Sequence, residues 1–389
     1  MSAGHDHTGQ GGADGYYRGY ATADTSGPTG AGGTRVTVGM AIGLVLCVLL
    51  VAGVAIMNMV DVAKVLYRPG PIYNTLGETN GHPTVVVEDA ETYPTGGELN
   101  FTTVTLYGGP RYPVSAWDWL LAEFDPNTDI VDEDLVYPPD MTAQQVQEQN
   151  TELMMESQDA AAVVGVRAAG VEVPEQVKVA QIIVDAPAAD TLEVNDEIRS
   201  VGGTEIHNPA QVRDVLQGFE PGDEVEFVLV RDGEEITLQV PTGEDDVEAE
   251  DGSTETRTVI GVYLASDFDL PFDVTIDAGS VGGPSAGLMF SLAVYDKLTE
   301  GELTGGHVFA GTGTIDSSGT VGPISGIRQK MISSANHGVE YFLAPAGNCD
   351  DVRGNEPDGM EVVKIETFDQ ARDVVEAIGQ GEDVDLPRC

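Results

Sequence analysis

Basic residues are scarce in this chain of 389 residues, which has 18 lysines and arginines against 65 aspartates and glutamates. The formal net charge is −47 at pH 7. Binding to DNA or RNA needs a clustered cationic surface that releases counterions. We therefore exclude a nucleic-acid partner and interpret the acidic surface as one that keeps the protein soluble.

Cysteine and histidine are also rare, with three and six residues. None of them has the spacing of a metal site, so we expect no metal and no other cofactor. Cys47 lies in an apolar run, which leaves Cys349 and Cys389 as either one disulfide or two separate thiols. The chain contains no Gly-Lys dipeptide. A Walker A loop is therefore absent, and we expect no dependence on ATP.

The sequence has one long apolar run, from Val36 to Val60, and this run contains no charged residue. It exceeds the ~20 residues that cross a bilayer and is too long for the core of a cleavable signal. We predict a single N-terminal transmembrane helix over residues 35–61, so that the protein is anchored in the membrane. Two basic residues flank each side, so charge alone leaves the orientation undecided.

The remaining chain has enough apolar material for about two to three folded domains, since 41% of all residues are hydrophobic. The glycine-rich N-terminus offers almost no aliphatic side chains for a core. We predict these segments: a disordered tail over 1–34, an extracytoplasmic region over 62–170, a second unit over 171–243, an acidic linker over 244–256, a third unit over 257–382 and a C-terminal tail over 383–389.

Two elements are predicted within residues 62–170. Residues 97–106 alternate polar and apolar side chains with β-branched residues, which is typical of a half-buried strand. Thr142 followed by Gln145 is a capping box, and the helix-favouring run after it reaches Ala169, with Gly170 placed to end it.

The second unit reads as strand, turn, strand, helix, strand, strand. It resembles a PDZ domain of the bacterial protease type, in which a partner strand adds to a sheet edge beside the helix. The loop before its first strand, residues 174–177, lacks the glycine that lets backbone amides hold a peptide carboxylate. The unit is therefore either a peptide-binding domain or a spacer or gate.

The third unit carries the candidate chemistry. Residues 283–287 read Gly-Pro-Ser-Ala-Gly, between a predicted strand and a predicted helix. A serine at a helix N-terminus lies beside free backbone amides that can stabilise an oxyanion. Ser285 also needs a base, for which His307, His337 and Lys330 compete. Neither histidine lies in a recognisable triad context, and Lys330 belongs to a turn that leads into a helix.

Three motifs in order resemble the proteolytic domain of Lon proteases: residues 283–287, residues 312–315 (Thr-Gly-Thr-Ile) and residues 319–330. With the anchor and the PDZ-like unit, the chain from about residue 36 is similar to the membrane-anchored PDZ and Lon-like serine proteases of Gram-positive bacteria, especially actinobacteria. The resemblance implies a Ser-Lys dyad in which Ser285 is the nucleophile, Lys330 is the general base and the hydroxyl of Thr312 supports the lysine.

Two positions depart from common Lon patterns. Arg328 stands where many Lon enzymes have another lysine, which leaves Lys330 as the base. Gly282 stands where an aspartate often precedes the Gly-Pro-Ser, so that carboxylate is absent here.

The resemblance also implies a fold and a cellular setting. We expect an α+β fold with a single N-terminal transmembrane helix, a PDZ domain and a Lon-type proteolytic domain that lies outside the cytoplasm. We further expect a homo-oligomeric ring, a hexamer, with polypeptide substrates. The placement outside the cytoplasm favours a Cys349–Cys389 disulfide over two separate thiols without deciding between them. Residues 95–168 are expected to pack on residues 257–380, which makes the PDZ unit an insertion. Two alternatives remain open: a catalytically inactive membrane adaptor and a Ser-His hydrolase.

A lysine base must lose its proton near neutral pH. A free ammonium has a pKa near ~10.4, which burial lowers because burial disfavours the charged form. The strong negative charge of the protein acts in the opposite direction. We therefore expect activity to rise with pH, and added salt to move that rise to lower pH unless the pocket is well enclosed.

Overall fold

The computed structural model describes residues 38–79, 81–138, 141–248 and 254–389. The tail predicted over 1–34, and residues 249–253 of the predicted acidic linker, lie outside the described residues. The chain divides into two units, residues 1–55 and 56–389.

The first unit contains most of helix α1 (Val38–Met57), which lies within the predicted span 35–61. Its 20 residues carry no charge, so it is long and apolar enough to cross a bilayer by length and composition.

Residues 56–389 begin with strands and helices that lie before the PDZ-like unit in the sequence. In chain order these are β1 (Asp61–Val62), β2 (Lys64–Asn74), β3 (Glu78–Thr79), β4 (His82–Pro83), β5 (Val85–Val87), β6 (Glu98–Gly108), β7 (Val114–Ser115), α2 (Ala116–Ala122), β8 (Asp129–Asp132), α3 (Glu133–Val136) and α4 (Ala143–Ala168). The capping box at the start of α4 is confirmed, since Thr142 and Gln145 bond each other's backbone N–H groups. Gly170, at φ +83°, follows its end.

The inserted elements come next: β9 (Glu175–Ile182), β10 (Glu197–Val201), β11 (Thr204–Glu205), α5 (Pro209–Leu216), β12 (Glu224–Arg231), β13 (Glu234–Pro241), β14 (Gly243–Glu248), β15 (Thr254–Val259) and β16 (Val262–Phe268). The C-terminal part contains β17 (Val274–Ile276), α6 (Gly287–Leu298), β18 (Val308–Gly311), β19 (Thr314–Ile315), β20 (Val321–Gly322), α7 (Ile327–Asn336), β21 (Tyr341–Pro345), a 3₁₀ turn (Ala346–Asn348), α8 (Cys349–Val352), β22 (Glu361–Ile365) and α9 (Phe368–Gly379).

One six-stranded sheet, in the order β22-β21-β18-β6-β2-β8, forms the centre of the protease unit. β6 pairs parallel with β18, so Leu99 lies opposite Phe309. Because strand side chains alternate between faces, Phe309 joins the core formed with α4, α6 and α9, whereas Ala310 joins the core formed with α7 and α8. Residues far apart in sequence therefore build one sheet and two cores.

The PDZ unit has its own sheet and its own core. Its main path is β13-β12-β10-β9-β16, and its buried residues extend from Val177 to Ile260. Phe268 pairs with Glu175, and the N–H of Asp269 bonds the carbonyl of Pro174 at 3.1 Å. The chain therefore enters and leaves the PDZ unit at two adjacent points, near residues 174 and 269.

Two segments differ from the sequence expectations. Residues 244–248 and 254–256 of the predicted linker belong to β14 and β15, which pair as an antiparallel hairpin. The strand β16, expected within the third unit, belongs to the PDZ sheet, where its apolar side chains extend the PDZ core.

The predicted C-terminal tail is packed. Val384 and Leu386 contact the main core, and Cys349 forms a disulfide with Cys389. This decides between the two states that the cysteine count left open.

Candidate active site

Ser285 lies immediately before α6, which begins at Gly287 after the N-cap residue Ala286. The first N–H groups of a helix have no intrahelical partner. The N-terminus of α6 therefore supplies hydrogen-bond donors and a positive dipole end beside the Ser285 hydroxyl. The Ser285 carbonyl accepts hydrogen bonds from the Gly313 N–H and from the Thr312 hydroxyl, both at 2.9 Å, which fixes the serine against the 312–313 loop.

Lys330 is brought to the serine by the first turn of α7. The helix starts after Gly326, whose backbone is left-handed (φ +71°). A Cβ at Gly326 would lie 2.8 Å from Val104 Cγ2, so this entry to the helix requires glycine. Lys330 Nζ lies 2.7 Å from Ser285 Oγ and 2.8 Å from Thr312 Oγ1.

Lys330 is shielded from solvent. The residue is 2% exposed, and burial lowers the pKa of its amine from 10.5 to about 7. Desolvation causes this shift, and no carboxylate among the residues that the structure describes holds the amine in its charged form. Near neutral pH a large fraction of Lys330 is therefore an uncharged amine that can accept a proton.

Thr312 orients that amine. Its hydroxyl hydrogen is donated to the Ser285 carbonyl, so its oxygen is free to accept an N–H from Lys330. With one N–H directed at Thr312, the lone pair of the neutral amine can point toward the Ser285 hydroxyl. The sequence-predicted trio of Ser285, Lys330 and Thr312 thus lies within hydrogen-bond distance in one cluster.

A cleft of about 740 Å³ opens over this cluster. The strand segment 102–106 of β6, residues 280–286 and the loop 323–325 line it. β18 pairs with β6 only as far as Phe101. Beyond that residue, no strand in the described part of the chain pairs with the edge of β6 opposite β2.

Helix α4 supports the serine loop, in line with the expectation that residues 95–168 pack on residues 257–380, but the sequence indicated neither of the two residues that make the contacts. The Ser157 hydroxyl bonds the Pro284 carbonyl at 2.9 Å, and the Asn150 carbonyl accepts the Gly283 N–H at 2.9 Å. A Cβ at Gly287 would lie 2.6 Å from Ile315 Cγ2 and 2.8 Å from Ser157 Oγ. The contacts of Asn150 and Ser157 join segments more than a hundred positions apart, and no local pattern in the sequence marks either residue.

The competing bases lie elsewhere. His307 bonds Glu340 through Nδ1 at 3.0 Å, and His337 bonds the Ser333 carbonyl at 2.7 Å. Neither histidine is among the residues that line the cleft. Arg328 points away from Ser285, to Asp129 and the Pro126 carbonyl.

Gly282 leaves little space for a side chain, because a Cβ there would lie 3.1 Å from Asn150 Cβ. No metal-binding group is seen either, since no three His, Cys, Asp or Glu residues gather suitably among the described residues.

A second concave site lies in the PDZ unit. β9 is an internal strand between β10 and β16, so residues 174–177 do not precede the edge of the sheet. One edge strand of this sheet is β16, and a groove of about 550 Å³ lies between β16 and α5. Gly261, at φ +75°, comes directly before β16. The glycine missing from the first loop is thus found before a strand that occurs much later in the sequence.

Comparison with known proteins finds two kinds of domain, with bounds that differ from those of the structure: the PDZ match includes α4 and ends before β16. Residues 143–242 match the PDZ domain family model, and residues 265–379 match the model of the Lon protease (S16) C-terminal proteolytic domain. The chain thus contains a PDZ domain and a protease domain. Residues 265–379 are thus similar to the Lon C-terminal proteolytic domain, and β6 and α4, which complete the core of this domain, lie outside the matched range.

Individual relatives cover only part of the chain. A Lon protease of Mycoplasma mycoides subsp. mycoides is 33% identical over 112 residues, which is 29% of this chain and 14% of the relative. A Lon protease of Clostridioides difficile is 30% identical over 158 residues, which is 38% of this chain and 20% of the relative. The chain therefore spans a fifth or less of the length of these curated relatives.

Among solved structures, the PDZ domain of the SdrC-like protein from Listeria monocytogenes is 22% identical. The match covers 23% of this chain and 85% of that domain, with a TM-score of 0.19.

Proposed function

We propose that this protein is an ATP-independent, membrane-anchored serine endopeptidase in which Ser285 and Lys330 form the catalytic dyad. The observation that carries the proposal is the 2.7 Å contact between the Ser285 hydroxyl and a buried lysine amine whose pKa is about 7. A serine hydroxyl becomes a competent nucleophile when an adjacent base accepts its proton. The Lon-type assignment of residues 265–379 supports the same chemistry.

The reaction begins with attack of Ser285 Oγ on a peptide carbonyl carbon, as the hydroxyl proton passes to Lys330 Nζ. The N–H groups at the start of α6 stabilise the negative charge on the carbonyl oxygen. Lys330 then protonates the leaving amine, and an acyl-enzyme on Ser285 remains. A water molecule then gives a proton to Lys330 and attacks the acyl carbon. The bond from that carbon to Ser285 Oγ breaks, and Lys330 returns the proton to the serine oxygen, while Thr312 holds the amine in its orientation.

Flexible or unfolded polypeptides are the substrates that fit this cleft. The free edge of β6 from residue 102 to 106 can pair with an extended chain and align it past Ser285. A folded segment cannot offer its backbone in this way, because its N–H and C=O groups are already paired.

The PDZ domain recruits substrates or gates the protease through the groove between β16 and α5. β16 is an edge strand, so a bound segment can add to it as a further strand. Residues 269–284 connect β16 to Ser285. A segment bound in the groove can therefore affect the position of the nucleophile through this short stretch of chain.

The protease faces the outside of the cytoplasmic membrane and assembles as a homo-oligomeric ring, a hexamer. The disulfide between Cys349 and Cys389 supports an oxidising compartment. The apolar helix α1 supports the anchor by its length and composition.

Labelling with a fluorophosphonate probe tests the proposal. The full-length chain in detergent should be labelled at Ser285 and should cleave a fluorogenic unstructured polypeptide without ATP. Ser285→Ala should lose both properties, whereas an exposed control, Ser318→Ala, should keep them. An unlabelled wild type would indicate an inactive adaptor, and activity that survives Lys330→Met but is lost in His307→Ala or His337→Ala would indicate a Ser-His hydrolase.

A further inference from the structure

One wall of the active-site cleft is fixed by a single side chain outside the cleft. Ile324 lies in the loop 323–325, which lines the cleft together with Ser285 and Lys330. The Ile324 N–H donates to Asn348 Oδ1 at 2.9 Å, and Asn348 Nδ2 donates to the Ile324 carbonyl at 2.8 Å. Asn348 is 5% exposed, so both bonds lie away from competing water. The carboxamide of Asn348 has a donor and an acceptor on neighbouring atoms, so it can bond the N–H and the carbonyl of Ile324 at the same time.

The segment that carries Asn348 is in turn tied to the C-terminus. Cys349 follows Asn348 directly and forms the disulfide with Cys389. The Cys389 carbonyl accepts a hydrogen bond from Arg353 Nε at 2.8 Å. Gly347 also lies against the cleft wall, since a Cβ there would be 3.0 Å from Pro323 Cβ. A covalent link at Cys349 thus holds the turn that positions Ile324.

We propose that Asn348 is a positioning residue for substrate binding and that the Cys349–Cys389 disulfide makes this positioning sensitive to redox state. The oxidised protein holds loop 323–325 in the geometry that aligns an extended substrate. Reduction frees Cys349 and the C-terminal segment, so Asn348 releases Ile324 and the wall loses its fixed position. The inference rests on the proposed peptidase function and adds a regulation of that site.

The redox step needs a dithiol as reductant. One thiolate of the dithiol attacks a sulfur of the disulfide and forms a mixed disulfide, which releases the other cysteine as a thiolate. The second thiolate of the reagent then displaces the remaining cysteine. The protein gains two electrons and two protons as two thiols, and the dithiol is oxidised to a cyclic disulfide.

The dyad has supports that do not pass through Asn348. Lys330 is held by Thr312, and α7 is fixed to β2 by the bond from the Ser333 hydroxyl to the Gly70 carbonyl at 2.5 Å. Loss of the Asn348 bonds should therefore weaken substrate binding and leave the chemical step unchanged. This separates a positioning role from a general role in folding.

The test measures kcat and KM for an unstructured fluorogenic polypeptide, with full-length protein in detergent. Asn348→Ala loses both bonds, and Asn348→Asp keeps the acceptor for the Ile324 N–H but places a carboxylate oxygen against the Ile324 carbonyl. KM should rise more than tenfold in both variants, because one loses two hydrogen bonds and the other replaces one of them by a repulsion between two oxygens. The rate of fluorophosphonate labelling of Ser285 should stay within about twofold because the small probe does not contact an extended binding wall, and kcat should change little because a substrate that has bound reaches the same dyad. Asn355→Ala is the matched control, because Asn355 is an exposed asparagine bonded to the Asp351 carbonyl, away from the cleft, and it should behave as wild type.

The redox arm compares wild type before and after dithiothreitol with the double variant Cys349→Ser, Cys389→Ser. KM of wild type should rise on reduction, and the double variant should have the raised KM in both conditions. Reduction of Asn348→Ala should add nothing, because both changes release the same wall. An unchanged KM in the reduced wild type, or a fall in kcat and labelling at constant KM, would overturn the inference. Absence of cleavage and labelling in every form would instead refute the peptidase function.

Discussion

At the scale of single residues, the proposed reaction depends on how the protein keeps the Lys330 amine uncharged. The Gly-Pro-Ser-Ala-Gly motif predicted Ser285 as a nucleophile, and the resemblance to Lon proteolytic domains implied Lys330 as its base and Thr312 as the support of the lysine. The pKa of the lysine could not be predicted in the same way. It depends on burial, and burial of Lys330 arises from the packing of α7 against β2 and β6.

We predict that kcat/KM rises with pH through a midpoint near the Lys330 pKa of about 7 and then levels off. Below that pH the ammonium predominates and cannot accept the serine proton; above it the neutral amine can. Because burial alone causes the shift, salt should leave the midpoint in place, although the net charge alone had suggested a movement to lower pH.

The measurement is a pH profile of cleavage at low and high salt, with folding followed by circular dichroism. A midpoint near the value of an exposed lysine, about 10.4, would contradict this account of the base.

A second prediction concerns the Thr312 hydroxyl. Thr312→Val keeps the shape of the side chain but removes the acceptor for the Lys330 N–H and the donor to the Ser285 carbonyl. We expect kcat to fall about 10- to 100-fold with a small change in KM, because the amine loses its orientation toward the nucleophile. Thr312→Ser retains the hydroxyl and should keep most of the activity. Equal loss in both variants would assign Thr312 a packing role instead.

At the scale of elements, α4 links the PDZ insertion to the nucleophile. The sequence predicted this helix from its capping box, and the structure adds that one of its faces supports the serine loop through Ser157. Such a contact could not be predicted, because Ser157 and Pro284 meet only when the sheet that joins β6 and β18 has formed. The position of β16 was missed for a similar reason: its partner β9 lies far earlier in the chain.

We predict that Ser157→Ala destabilises the protein by about 1 kcal/mol, the usual net contribution of one hydrogen bond. Because the bond holds the Pro284 carbonyl next to Ser285, kcat should fall several-fold at an unchanged pH midpoint. Urea unfolding and steady-state kinetics measure the two effects. The neighbouring exposed residue Glu156 offers a control, and Glu156→Gln should change neither quantity.

At the scale of the whole molecule, the PDZ domain is inserted into the protease rather than placed before it. The α+β class and the two kinds of domain could be predicted from motifs. The points at which the chain enters and leaves the PDZ domain could not be predicted. The hairpin β14–β15 has the acidic composition of a solvated linker, so the sequence suggested that the domain ends before β16.

The insertion can be tested by deletion. Glu175 and Phe268 lie opposite each other in an antiparallel pair, so a short Gly-Ser turn can replace residues 177–266 without moving residues 174 and 269. We expect the shortened protein to fold and to cleave a short unstructured peptide at a rate within several-fold of wild type, because α4, β6 and the dyad remain. Loss of the folded core on deletion would show that the PDZ domain is part of the protease core.

The most direct test of the central claim is a mutant cycle on Ser285 and Lys330, with kcat/KM for an unstructured polypeptide as the readout and labelling of Ser285 in parallel. Ser285→Ala and Lys330→Ala should each reduce cleavage by at least about a thousandfold without unfolding the protein. The double variant should be barely worse than either single variant, because two residues that act as one unit are lost together. Clear additivity of the two losses, or substantial cleavage by Lys330→Ala near neutral pH, would contradict a Ser-Lys dyad.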